Sequence, residues 1–218
     1  MTGQAARISR GIYRRIDMGM KNTGALKSLQ ARIGNALAFL PVTPNQATLA
    51  SVAVAVVAAY AAHEGNFIAS GLFFLAAGAL DALDGALARA KRLVSAKGAY
   101  IDGISDRVVE FLLVCSLFFA NLPGLLGMPA WFWLTCALFF GSVMTSFATA
   151  YAVHRKCADW KKTEEEPGIL PRTERVLLLC AALFAAAVSP PAAIAIAALA
   201  AALGFATFTQ RFLYYAND

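Results

Sequence analysis

The sequence predicts an all-α integral membrane protein whose membrane domain has six transmembrane helices. Hydrophobic residues make up 59% of the 218 residues, whereas soluble domains contain roughly 45–50%. These residues form long uncharged runs, and about 18 apolar residues in succession are enough to cross a bilayer. The basic residues cluster in segments that flank the runs, as expected where they face lipid headgroups.

Residues 1–42 are predicted to precede the membrane domain, which comprises residues 43–218. Residues 24–41 are predicted to form an amphipathic juxtamembrane helix in the membrane interface, because leucine and isoleucine recur there every three to four positions. The basic segment 1–22 has a weaker apolar face, so a surface-lying amphipathic segment and a disordered tail both remain open.

Six apolar segments follow in the membrane domain, separated by polar or Pro/Gly-containing connections. Thr43 and Pro44 mark the start of the first segment, since a capping hydroxyl followed by proline is typical of a helix N-terminus. The predicted spans cover about 45–62, 66–90, 98–122, 130–152 and 173–188, and a last one that follows the turn at 189–191 and ends near 212.

The distribution of basic residues predicts how the domain is oriented. Six spans place both termini on one side, and the turns on the other side (63–66, 121–129 and 188–191) contain none of the 19 Lys and Arg residues. Cytoplasmic loops carry an excess of Lys and Arg, so the basic side is cytoplasmic. We therefore expect a protein of the cell membrane with cytoplasmic termini and a polar cavity that opens to the cytoplasm.

Four aspartates interrupt the apolar pattern: Asp81 and Asp84 in the second span, and Asp102 and Asp106 in the third. A charge at the centre of a bilayer helix costs about 2.5–3.5 kcal/mol, so these residues are expected near a membrane surface, in a wet cavity or on a cation. Spacings of three and four residues place each pair on one helix face. Carboxylates on two adjacent helices suit Mg²⁺, and two such ions can clamp the oxygens of an in-line displacement.

Small and basic residues accompany the first pair of aspartates. Gly85 and Ala88 lie on the same helix face and leave room for a phosphate or a nucleotide, and the guanidinium fork of Arg89 could bind phosphate oxygens. The spacing alone also allows a structural ion-pair cluster, in which the aspartates pair with Arg89 or Arg107.

The stretch fits the pattern Asp-x-x-Asp-Gly-x-x-Ala-Arg, then eight residues, then Gly-x-x-x-Asp-x-x-x-Asp. The fixed positions are Asp81, Asp84, Gly85, Ala88, Arg89, Gly98, Asp102 and Asp106. It resembles the signature of the CDP-alcohol phosphatidyltransferases, also called CDP-alcohol phosphotransferases. The resemblance implies an enzyme of phospholipid biosynthesis that transfers a phosphatidyl-type group from a CDP-linked lipid to the hydroxyl of a polar alcohol and releases CMP.

The resemblance also implies roles for the motif residues. Asp81, Asp84 and Asp102 would bind two divalent ions, Mg²⁺ or Mn²⁺, that hold the diphosphate of the CDP-lipid. Asp106 would be the base that deprotonates the acceptor hydroxyl and an additional metal ligand. The CDP-lipid site would be lined by Gly85, Ala88 and Arg89. The family's members are homodimers, so a homodimer is expected here as well.

The acceptor is predicted from a second similarity. The segments 102–107 and 168–175 resemble those of family members that use inositol phosphate, so Arg155, Arg172 and Arg175 are candidates for binding an acceptor phosphate. The general excess of Lys and Arg on the cytoplasmic side of membrane proteins explains these arginines equally well. Those members also carry two arginines near the end of the fourth span, where this chain has one, so glycerol phosphate or another polar alcohol remains open.

Two other classes of membrane protein fit the sequence less well. A membrane prenyltransferase also holds a pyrophosphate through aspartates and Mg²⁺, but it uses two similar aspartate motifs far apart in the chain. A transporter is disfavoured because the sequence shows no inverted repeat. The net charge of +6 does not indicate nucleic-acid binding, because the basic residues cluster beside apolar runs.

Overall fold

The computed structural model describes residues 42–158, 163 and 168–216. The regular structure within these ranges is helical: α1 Pro44–His63, α2 Phe67–Ala90, α3 Ala96–Phe118, α4 Ala130–His154, α5 Arg172–Ala186 and α6 Pro190–Ala216. Each helix begins and ends within a few residues of a predicted span. The predicted segments 1–22 and 24–41 lie outside the described residues.

The helix starts follow from local sequence chemistry. Thr43 caps α1 as predicted: its side chain accepts a hydrogen bond from the backbone N–H of Gln46, and the Gln46 side chain accepts one from the N–H of Thr43. Asn66 caps α2 and Ser95 caps α3, each by one side-chain oxygen that accepts a hydrogen bond from a backbone N–H of the first turn. Because these side chains satisfy N–H groups that have no partner within the helix, the boundaries are fixed by a few polar residues between apolar runs.

The helices pack as two groups that meet along α2 and α5. Helix α1 lies against α2 and α3, while α6 lies against α5 and α4. One apolar core joins the two groups, and its largest fully buried residues are Phe74, Leu113, Leu117, Leu134, Leu179, Leu183 and Ile194. The contact of α2 with α5 brings the C-terminal half of α2 beside the first turn of α5, which positions the polar site.

Helix α4 contains an interruption that the sequence does not predict. Residues Ala137–Met144 form a π-helical segment between two α-helical parts. Glycine at position 141 lies in this segment, and a Cβ atom there would come within 3.0 Å of the side chain of Arg175. The wider turn and the missing side chain therefore make room for a buried arginine, and π-helical segments frequently occur at functional sites.

The crossing of α4 and α6 depends on two glycines. A Cβ atom on Gly204 would lie 2.7 Å from the Cα atom of Gly141, so the two backbones are too close for any side chain between them. Small residues at such crossings let membrane helices approach closely and gain dispersion contacts. Gly141 and Gly204 therefore fix how α6 lies on the π-helical segment.

Four of the described helices, α1, α2, α4 and α6, are long and apolar enough to cross a membrane. Helix α3 has the length but carries Lys97, Asp102, Asp106, Arg107 and Glu110. Helix α5 has 15 residues and is about 22 Å long, shorter than the hydrocarbon core of about 30 Å. That α3 and α5 span the membrane thus stays a prediction.

We expect Gly204→Ala to destabilise the protein by about 1–3 kcal/mol, because the new methyl group must push the backbones of α4 and α6 apart. Thermal unfolding in detergent measures the effect. The matched control is Gly78→Ala in α2, where a Cβ atom meets nothing within 4 Å; it should be neutral or gain up to about 1 kcal/mol of helix propensity. Equal melting temperatures for the two variants would contradict the close approach.

Candidate metal centre

Three of the four predicted aspartates come together where α2 meets α3. One carboxylate oxygen from each of Asp81, Asp102 and Asp106 lies within 4.8 Å of the other two. Oxygens on opposite sides of a Mg²⁺ ion are about 4 Å apart, since each Mg–O distance is about 2.0–2.1 Å. Neighbouring oxygens on such an ion are closer, about 3 Å apart, so the three carboxylates would have to move inward to bind it. The cluster offers only oxygen ligands, so its residues fit a hard divalent cation.

Asp84 lies beside this cluster, but its carboxylate points to helix α1. It is buried, and its Oδ2 atom accepts a short hydrogen bond from the hydroxyl of Thr48. Thr48 lies in the second turn of α1, so this bond joins the start of α1 to α2. The structure therefore places Asp84 next to the three-carboxylate group, with Thr48 fixing its orientation.

Arg172 spans the cluster from the first turn of α5. Its Nη1 atom donates a hydrogen bond of 2.9 Å to Oδ2 of Asp81, and its Nη2 atom lies 2.7 Å from Oδ1 of Asp106. Its Nε atom is 3.9 Å from Oε1 of Glu110. One guanidinium thus connects carboxylates of α2 and α3 and neutralises part of their charge.

Asp106 has a second cationic neighbour. Nη1 of Arg107 lies 3.2 Å from Oδ2 of Asp106, and Arg107 also donates to the hydroxyl of Ser146 in α4. The ion-pair alternative drawn from the sequence therefore describes part of the geometry, because Asp106 does pair with Arg107. It does not exclude a metal, since Asp81 and Asp102 lie with Asp106 in the same group of ligands.

A buried ion pair lies below the cluster. Nη2 of Arg175 donates a hydrogen bond of 2.6 Å to Oε1 of Glu110, and the two side chains are 5% and 1% exposed. Arg175 therefore contacts Glu110 rather than the surface where an acceptor would arrive. Its predicted contact with an acceptor phosphate stays a prediction, while its position shows a role in holding α3 against α5.

The remaining predicted residues lie nearer the surface. Gly85 and Ala88 are partly exposed on α2, and the exposed Arg89 places Nη1 3.5 Å from where a Cβ atom on Gly85 would be. Arg155 is exposed and caps the C-terminal end of α4. The structure thus groups Gly85, Ala88 and Arg89 with the aspartates on α2, and leaves Arg155 on a different helix.

Sequence reasoning missed three residues of this site: Thr48, Glu110 and Ser146. Glu110 follows Asp106 by four residues, as Asp106 follows Asp102, so the acidic stripe of α3 was visible in the sequence. Thr48 and Ser146 had no such signal, because a hydroxyl in an apolar helix often bonds to its own backbone. Only the packing of α1 on α2 and of α4 on α3 shows which partners they meet.

Over the part of the chain that the structure describes, these features define a helical protein with four helices long and apolar enough to cross a membrane and a candidate divalent-metal centre between α2 and α3. The chain belongs to the CDP-alcohol phosphatidyltransferase family, which it matches over residues 41–208. The family predicted from the aspartate motif is thereby confirmed.

Similar proteins include two archaetidylinositol phosphate synthases. That of Pyrococcus horikoshii is 36% identical over 121 residues, covering 56% of this chain and 61% of that protein. That of Methanothermobacter thermautotrophicus is 29% identical over 174 residues, covering 77% and 80%. A bifunctional IPC transferase and DIPP synthase of Thermococcus kodakarensis is 32% identical over 139 residues, and the chain spans 31% of that longer protein.

Solved structures of Mycobacterium tuberculosis phosphatidylinositol phosphate synthase have the same fold. The structure with CDP-DAG bound has a TM-score of 0.70 at 20% identity and covers 86% of this chain and 94% of the other. The complex with manganese and citrate has a TM-score of 0.64 at 21% identity, covering 85% and 88%. At these identities the comparison establishes the helical architecture.

We expect Arg175→Met to destabilise the protein by about 3–5 kcal/mol, because the carboxylate of Glu110 would stay buried without its closest partner. The double variant Glu110→Leu with Arg175→Met removes both charges and should recover most of that loss. Unfolding in detergent measures both. Arg155→Met is the control at an exposed position, with a change of at most about 0.5 kcal/mol. A double variant as unstable as the single one would contradict the pairing.

Proposed function

We propose that this protein transfers a phosphatidyl-type group from a CDP-linked lipid to the hydroxyl of a polar alcohol and releases CMP. The observation that carries the proposal is the convergence of Asp81, Asp102 and Asp106, all fixed positions of the family's motif, on one cluster of carboxylate oxygens. Such a transfer belongs to phospholipid biosynthesis and makes the protein a transferase for substituted phosphate groups.

The aspartates are assigned to two divalent ions, Mg²⁺ or Mn²⁺. Asp81, Asp102 and Asp106 offer three oxygens within 4.8 Å of one another. Asp84, whose carboxylate accepts a hydrogen bond from Thr48, is assigned as the further ligand. When bound, the ions would hold the donor's diphosphate and neutralise charge on the leaving CMP. Support for divalent metal comes from the manganese complex of the mycobacterial structure.

The chemical step is assigned to Asp106. Its carboxylate takes the proton from the acceptor hydroxyl as the oxygen attacks the phosphorus that bears the lipid. A new P–O bond to the acceptor forms, the P–O bond to CMP breaks, and the electron pair leaves with CMP. Asp106 is buried among Asp81, Arg172 and Arg107, which keeps its carboxylate in a defined position and away from bulk water.

The donor is assigned to the surface of α2. Gly85 and Ala88 are partly exposed and have small side chains, so the nucleotide could approach the helix closely, and the exposed Arg89 could bind phosphate oxygens. Exposed apolar side chains on α2 and α3, such as Leu72 and Phe111, would let the donor's chains remain in the bilayer beside these helices.

The acceptor is assigned as a phosphorylated polyol such as inositol phosphate. The names of the similar synthases from archaea and Mycobacterium tuberculosis motivate this choice. Arg172 lies at the cluster, where the phosphate of an acceptor would bind near the acceptor's own hydroxyl. Arg155 and Arg175 are assigned to the same phosphate, although Arg175 would first have to leave Glu110, which it contacts in this structure. Glycerol phosphate or another polar alcohol is the alternative within the family.

The assigned topology has six membrane spans, with both termini and the catalytic cavity on the cytoplasmic side, and a homodimeric assembly. Four helices with the required length and apolarity support the membrane domain. The absence of Lys and Arg from the turns 63–66, 121–129 and 188–191 supports the orientation. The dimer rests on resemblance to the family.

CMP release identifies the reaction and the acceptor. The purified full chain is incubated with Mg²⁺, a CDP-lipid with ester-linked or ether-linked chains, and inositol phosphate, glycerol phosphate, inositol, serine or glycerol. We expect inositol phosphate to give the fastest CMP release, because free inositol offers no phosphate for the arginines. Faster CMP release with glycerol phosphate would make glycerol phosphate the acceptor instead. If none of the five alcohols gave CMP release, the proposed reaction would be wrong.

Asp106→Asn should lower kcat by about 10²–10⁴-fold even at saturating metal, because an amide cannot accept the proton. Asp102→Asn serves as the comparison, since a pure ligand defect should be recovered by raising the Mn²⁺ concentration. Turnover is measured across a Mn²⁺ titration for both variants. If Asp106→Asn regains full turnover at high Mn²⁺, Asp106 is a ligand and not the base.

A further inference from the structure

Arg172 and a divalent ion would use the same carboxylates. The guanidinium nitrogens lie 2.9 Å from Oδ2 of Asp81 and 2.7 Å from Oδ1 of Asp106, and both residues belong to the group of potential metal ligands. Arg172 is 29% exposed, so its position is not imposed by complete burial. The two cations therefore compete for one set of negative charges.

Simultaneous binding is electrostatically unfavourable. A metal ion about 2 Å from an Asp81 or Asp106 oxygen would lie within a few ångströms of the guanidinium, between apolar helices where charges are weakly screened. Arg172 is also the first residue of α5, where the positive end of the helix dipole already disfavours a cation. Carboxylates shared with a dication would hold Arg172 less firmly.

The structure contains an alternative partner for the displaced guanidinium. Nε of Arg172 is 3.9 Å from Oε1 of Glu110. The other oxygen, Oε2, is buried and has no hydrogen-bond partner among the described residues, and neither has Nε of Arg172. Arg175 uses Oε1 of Glu110, so Oε2 remains to accept from Arg172. Nε already lies 3.9 Å from one oxygen of this carboxylate, so Glu110 is the nearby partner for the displaced guanidinium.

We propose that Arg172 is an internal counterion of Asp81 and Asp106 that a divalent ion displaces, with Glu110 as the acceptor that retains it. The inference rests on the metal site of the proposed function. It adds the order of binding, in which the metal ion binds before the acceptor. Metal binding frees the guanidinium, and only then can Arg172 serve the phosphate of an acceptor. Arg172 thus positions Asp81 and Asp106 when no metal ion is bound, and it competes with the metal ion for them.

Mn²⁺ binding to the purified full chain tests this directly. Free Mn²⁺ is followed by electron paramagnetic resonance during a titration without substrates. Arg172→Gln should lower the Mn²⁺ dissociation constant on the order of tenfold, within the range typical of coupling between two sites. Arg172→Lys keeps the charge but cannot span both carboxylates, so its constant should fall between those of Arg172→Gln and the wild type.

Arg92→Gln is the matched control, because it removes the same charge from an exposed loop position after α2 and should leave the constant unchanged. A second readout is thermal stability. In EDTA, Arg172→Gln should melt below the wild type because its carboxylates repel one another, and Mn²⁺ should raise its melting temperature by more than it raises that of the wild type.

The outcomes separate this inference from the function on which it rests. Unchanged or weaker Mn²⁺ binding by both Arg172 variants overturns the counterion role while leaving the metal site intact. A wild-type chain that binds no Mn²⁺, or binds it equally well after Asp102→Asn, overturns the metal site itself. A loss of melting temperature that is the same in EDTA and in Mn²⁺ would mean that Arg172 has a structural role alone.

Discussion

The pairing of Arg172 with Asp81 and Asp106 is the interaction on which the polar half of the bundle depends. Three helices meet at this guanidinium: α5 supplies it, and α2 and α3 supply the carboxylates. Each charge in an apolar helix bundle costs a few kcal/mol unless it has a partner. Acidic α2 and α3 can therefore pack together only because a cation, from the chain or from solution, lies between them.

Charge pairing also continues below the aspartate cluster, in the core. Glu110 and Arg175 neutralise each other where neither reaches water, and the π-helical segment of α4 provides the space for the arginine through Gly141. Gly204 then brings α6 onto that segment. The network of charges and the close crossing of α4 and α6 are thus parts of one arrangement, in which a bulge in one helix accommodates a charge from another.

Much of this architecture was predictable from the sequence. The six helices follow from apolar runs separated by polar or Pro/Gly-containing connections, and Thr43 caps α1 as its sequence indicates. The aspartates were predicted to converge because their spacings place each pair on one helix face, and the structure brings three of them together. Spacing along one helix did not predict that Asp84 would turn to Thr48, since that depends on the neighbouring helix.

The sequence by itself determined the membrane class, the family and the identity of the acidic residues, because hydrophobic run length and motif spacing are local properties. Tertiary structure decided the partners. Arg172, 66 residues from Asp106 in the chain, lies on the aspartates, and Arg175 is buried on Glu110. Two arginines three residues apart look alike in the sequence, but the contact of α5 with α2 and α3 puts them at different depths and against different carboxylates.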